Sequence, residues 1–177
     1  MTIFMDRMLR AAKLDVHLYE EVEADGTAIR QAMGVVVLSS IAAGIGSIGS
    51  MGLGGILFGT LAALGGWYIW AYLTYFIGTR WLPEPQTEAD LGQLLRTTGF
   101  SSSPGLIRIL GIIPGLGSLV FAAASIWMLV TMVIAVRQAL DYESTWRAVG
   151  VCAIGWLIQT LILALLFTLV GGGPPSL

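Results

Sequence analysis

Arg108 is the one charged residue in this 177-residue chain that sits deep inside an apolar stretch. A charge at such depth costs on the order of 3 kcal/mol or more unless it is paired or reaches the interface. The functional reading is an ion pair inside a helix bundle at a binding cavity. The plain reading is a short helix that sets Arg108 near the headgroups, so that its guanidinium snorkels inward. Its candidate partners are Glu20, Glu23 and Asp25, if the amino-terminal helices fold beneath the bundle, and Asp141. Arg137 and Asp141 form the charged exit of the same stretch.

The other chemical candidates are weaker. Glu20, Glu21, Glu23 and Asp25 lack the geometry of a cation loop, and His17 is the only histidine; no metal site is expected. Cys152 lies in an apolar run and reads as inert packing. Residues 44–49, GIGSIG, match G-x-G-x-x-G. That motif binds dinucleotides only between a strand and a soluble helix, and here it ends an apolar run. Gly55 and Gly59 form a G-x-x-x-G pair suited to close helix packing. No nucleophile, base and orienting group fall together, so neither an enzyme nor a cofactor is expected.

The elements that must position Arg108 follow from composition. The chain is 56% hydrophobic and 11% charged, against about 25% charged in soluble domains. Nothing basic clusters into a nucleic-acid footprint. Long apolar runs place the chain in a bilayer, without a cleavable signal peptide. Residues 1–30 form an amphipathic cytoplasmic segment. In it Ile3, Phe4, Met8 and Leu9 oppose Asp6, Arg7, Arg10 and Lys13, and Asp15 caps a helix over 16–24. Residues 31–170 form the membrane domain. Spans are predicted at 28–46, 56–77, 102–113, 116–136 and 149–170, with a glycine-rich turn at 46–55. Tyr68, Tyr72 and Tyr75 line one face of the second span and read as lipid-facing or packing residues. An amphipathic surface helix is predicted at 87–97, and 171–177 is a short outer tail.

The third span is short. Even extended to 100–114, its fifteen residues of helix reach only about 22 Å, less than the roughly 30 Å of hydrocarbon. Charge decides that it crosses. With five spans, Arg7, Arg10, Lys13, Arg30, Arg80, Arg96, Arg137 and Arg147 all fall on one side, together with all eleven acidic residues. The positive-inside rule makes that side cytoplasmic, with the amino terminus inside and the carboxyl terminus outside. Ser101, Ser102 and Ser103 are placed to accept backbone donors at the break before Pro104.

Two stretches carry a family resemblance: LDVHLYEEVEAD (14–25) and GFSSSPGLIRILGIIPGLG with the following IW and AVRQALDY (99–142). They resemble bacterial integral membrane proteins of the YIP1 family, over roughly residues 4–169. The resemblance implies an all-α, polytopic five-span bundle. Eukaryotic relatives are linked to Rab GTPases and membrane shaping through a long cytoplasmic region that has no counterpart here. The expectation is a non-enzymatic scaffold, membrane-organising protein or accessory subunit in a bacterial cytoplasmic (inner) membrane. Its partners would be the bilayer and a membrane protein or a second copy of itself, with no nucleic acid. The alternative is a small-solute transporter or channel with Arg108 lining the path.

Overall fold

Apolar runs in this chain can satisfy their backbones in lipid only as helices. The computed structural model, which describes residues 2–169 and the side chains there except at 49–51, 53, 163, 166, 167 and 169, is helical throughout, with no strand among the described residues. The predicted outer tail, 171–177, and Val170 lie outside the described residues.

Two short helices open the chain, α1 (Ile3–Ala12) and α2 (Val16–Ala24). The Thr2 hydroxyl caps α1 and the Asp15 carboxylate caps α2. Asp25 starts the next element by accepting from the Thr27 amide. The long helices are α3 (Ile29–Gly46), α4 (Ile48–Phe76), α6 (Gly117–Ala139) and α7 (Thr145–Leu169). Four segments are long and apolar enough to cross a membrane: Gly26–Gly46, Gly54–Trp81, Gly117–Ala139 and Thr145–Ile162. The predicted turn at 46–55 is mostly helix. Only Ser47 separates α3 from α4, and α4 bends at Gly52, whose φ of 63° suits glycine. A π-helical turn, Ile77–Trp81, continues α4 towards the following loop.

The stretch containing Arg108 differs most from expectation. It consists of α5 (Leu91–Phe100) and a ten-residue 3-10 helix, Ser103–Ile112, in place of one short α-helix. Backbone bonds run across the join, from Ser101 to Thr97, Ser102 to Gly99 and Gly105 to Ser102. The serines there act in the opposite sense to the prediction. Ser101 and Ser103 donate to the carbonyls of Thr98 and Phe100, both at 2.7 Å. The helix predicted at 87–97 begins later and packs inside. Leu94, Thr97, Thr98 and Phe100 are fully buried against α2, α3, α4 and α6.

Residues 91–112 run beside α3 in the same direction. Gly99 faces Ala32, Gly105 faces Ser39 and Gly111 faces the Gly46 carbonyl. At Gly99 the approach admits no side chain, since a Cβ there would lie 2.7 Å from that of Ala32. α6 runs antiparallel, its Thr131 hydroxyl donating to the Ser101 carbonyl at 2.8 Å. The buried core gathers at one end of the bundle. One cluster joins Leu94, Val136, Leu140 and Val151; another joins Leu18, Tyr19, Val22, Val35 and Phe100. Towards the other end α4 is barely covered, only 6% of its apolar window being buried. Large side chains such as Phe58, Leu119, Ile126 and Leu161 face outward.

Candidate functional site at Arg108

Of the acids expected to meet Arg108, Glu20, Glu23 and Asp25 are engaged elsewhere. Arg7 is buried, and its guanidinium donates to Glu21 at 2.8 Å, to Asp25 at 2.9 Å and to the Gln31 side-chain carbonyl at 2.9 Å. Arg10 donates to Asp15 at 2.7 Å and to the second Glu21 oxygen at 2.6 Å. These bonds, from Arg10 above all, hold the Glu21 carboxyl below the usual glutamate range. This network divides the predicted faces of α1. Phe4 and Met8 turn inward with Arg7, while Ile3 and Leu9 stay exposed.

Glu20 accepts from Gln138 at 3.1 Å and Glu23 from Gln93 at 3.0 Å. Burial, with Asp141 as the next cause, pushes the Glu23 carboxyl up to about 7. Arg96, also on α5, donates to the backbone carbonyls of Val22 and Glu23. Arg137 donates to the carbonyls of Tyr142 and Glu143, both at 3.1 Å, and the Asp141 carbonyl accepts from Gln86. Arg108 meets none of these acids for a geometric reason. Glu20, Glu23 and Asp25 precede α3 and Asp141 follows α6 near Glu23, whereas the guanidinium lies beside Ser39, about 15 Å along α3 from its start.

Arg108 emerges from the 3-10 helix where its own carbonyl abuts Gly46, and its side chain turns back along the bundle. Nε donates to the Gly105 carbonyl at 3.2 Å; Nη2 lies 3.0 Å from both the Ser39 hydroxyl and the Met128 sulfur. Sulfur is a weak acceptor. Nη1 has no acceptor among the described residues. A side chain at Gly105 would collide with Ser39 Oγ and with the guanidinium itself, so the missing Cβ is what lets the arginine fold back.

A cavity of about 610 Å³ reaches this guanidinium, between α3, α4, the 3-10 helix and α7. Its polar lining includes Ser39, Ser40, Ser102, Gln159 and Thr160, and it contains no carboxylate. Gly55 and Gly59 line it from α4; a Cβ on Gly59 would touch nothing within 4 Å. The close glycine contact nearby is Gly44, against Ile56. A second cavity of about 570 Å³ adjoins the first, sharing Trp70, Met128, Met132 and Trp156 with it. Its remaining lining, Leu129, Val133, Val149, Cys152 and Ala153, is apolar. Cys152 is therefore a half-buried wall residue. Tyr68 and Tyr72 are half exposed on the outside of α4, where the Tyr72 ring stacks with Phe76 at 6.5 Å.

The sequence reading missed the Arg7 and Arg10 network, whose members are scattered over residues 6–31. It also missed Ser39 and Gln159 as cavity residues, although both were legible as polar groups inside apolar spans. Among the described residues no cluster of His, Cys, Asp or Glu is placed to hold a metal ion.

No curated protein and no solved structure matches the chain. The Yip1 domain matches residues 19–167, which takes in α2 through most of α7 and both cavities. The chain is an integral membrane protein of the Yip1 domain family.

Proposed function

We infer that this protein is a non-enzymatic membrane organiser, a scaffold or accessory subunit of a membrane complex, in a bacterial cytoplasmic membrane. The observation that carries the reading is the amino-terminal platform. α1 and α2 are fastened to each other through Arg7 and Arg10, and Arg7 also donates to Gln31 of α3. Gln138 and Arg96 tie α2 to α6 and α5. The platform leaves Met5, Leu9 and Leu14 exposed, and the Trp127 ring nitrogen of α6 donates to the Ala12 carbonyl at 2.8 Å. An amphipathic pair so seated lies in the inner interface, with its apolar side towards lipid. Trp146, 83% exposed, and Trp81 add interfacial anchors at the same end.

Five crossings fit this arrangement. Residues 91–112 keep pace with α3 from Ala32 to Gly46. Ten α-helical and ten 3-10 residues reach roughly 35 Å, enough for the hydrocarbon core. The amino terminus is then cytoplasmic and the carboxyl terminus outside, and residues 1–30 with 137–148 form the partner surface. Affinity purification of the tagged chain in mild detergent, with native mass measurement, tests the reading. A stoichiometric partner is expected; a bare monomer contradicts the accessory-subunit form.

A second reading, a small-solute path lined by Arg108, is favoured by the cavity that reaches the guanidinium. Flux into vesicles that falls with Arg108→Ala would select it over the first.

A further inference from the structure

We propose that the two adjoining cavities form one binding site for a single phospholipid of net negative charge. Its phosphate would sit against Arg108 and one acyl chain would lie in the apolar compartment.

The polar half is built to receive an anion. Arg108 brings a fixed positive charge, and both N–H groups of Nη1 lack an acceptor among the described residues. Nη2 donates to the Ser39 hydroxyl and to the Met128 sulfur, the second a weak acceptor. An arginine fork with spare donors matches the oxygens of a phosphate. Ser39 accepts from Arg108 and has no acceptor for its own O–H among the described residues. Ser102 and the Gln159 amide line the same cavity, likewise without a hydrogen bond from either side chain among the described residues. Among the described residues no Asp or Glu lines either compartment, so no carboxylate competes for the guanidinium.

The apolar half selects a lipid over a free anion. Trp70, Met128, Met132 and Trp156 border both halves, so a ligand that reaches past these four side chains would touch both. The rim of the apolar half lies on the lipid-facing surface: Leu129 and Trp156 are 65% and 63% exposed. An acyl chain could enter sideways from the bilayer. Each compartment falls within the ~300–1,000 Å³ of small-molecule sites. No residue of the platform lines either cavity, so the test reads separately from whether a protein partner co-purifies.

The test is native mass spectrometry of the full chain, purified and delipidated in detergent, with phosphatidylglycerol, phosphatidylcholine or inorganic phosphate added. One phosphatidylglycerol is expected to stay bound under conditions that strip phosphatidylcholine. Arg108→Gln is expected to weaken it about tenfold, the loss of one charge-assisted contact. Ala153→Trp, on the exposed wall of the apolar compartment, is expected to weaken it similarly with Arg108 intact, and it keeps the test decisive should Arg108→Gln fail to fold. Equal retention of the two lipids, retention unchanged in Arg108→Gln or in Ala153→Trp, or displacement by millimolar phosphate would each overturn the proposal.

Discussion

The arginines of the amino-terminal platform and Arg108 face opposite physical problems. Arg7 is almost wholly buried, yet its donors are met by two carboxylates and an amide carbonyl. Arg108 lies among helices with one hydroxyl, one sulfur and one carbonyl of its own helix. The first arrangement holds structure together. Removing one partner leaves the others charged and unsatisfied. The second leaves no acid behind when the arginine is removed, so it contributes little to the fold and remains available to a ligand. A charge met by acids thus differs from one that no acid among the described residues meets.

The largest effect is expected from Gly99→Leu, where α5 meets α3. The added side chain would start 2.7 Å from the Ala32 Cβ, and both helices carry buried core there. Overpacking of this kind costs about 3 kcal/mol, to be read as a loss of thermal stability in detergent. A smaller loss, about 2 kcal/mol, is expected from Arg7→Leu, because Arg10 still neutralises Glu21. Amide exchange should show faster exchange in α1 and unchanged exchange in α6.

The platform should also have two pH limits. Glu21 is held below its ordinary value, so its contribution is present above about pH 4.5 and is lost as pH falls through the lowered native value. Glu23 is pushed up to about 7. Its contribution is complete below its ordinary value and is lost as pH rises through 7. The seat of α2 is therefore firmest near about pH 5. Glu23→Gln should raise the melting temperature at pH 8 and leave it unchanged at pH 5. The smallest effect belongs to Tyr19→Phe. The Tyr19 hydroxyl is buried with no hydrogen-bond partner among the described residues, so its removal should stabilise the protein by up to about 1 kcal/mol in the same melting assay.

The apolar helices were legible because lipid permits little else, and α2 was legible to the residue because Asp15 and Asp25 bracket it. The segment 87–97 reads as a surface helix because Leu91, Leu94 and Leu95 stand against Glu88, Asp90, Gln93 and Arg96. Thr97 and Thr98 satisfy themselves on the carbonyls of Gln93 and Leu94, so their polarity did not mean exposure. The glycine-rich 46–55 read as a turn by propensity, about 1 kcal/mol per glycine, yet helix prevails on either side of Gly52. Arg108 was legible as unusual from its type and place. Its surroundings were not, since Ser39, Met128 and Gln159 come from three separate helices and no spacing links them. Arg7 reads as part of the polar face of a surface helix because it opposes Ile3, Phe4, Met8 and Leu9; its partners at 21, 25 and 31 come from later elements of the chain.

The most direct measurement is the melting temperature of Arg108→Leu beside that of Arg7→Leu, both delipidated and in the same detergent. If Arg108 is uncompensated by protein acids, its removal should shift the midpoint by no more than about 2 °C, while Arg7→Leu lowers it by roughly 5 °C. A fall in Arg108→Leu as large as that of Arg7→Leu would mean that Arg108 holds the bundle together, and would contradict the distinction drawn here.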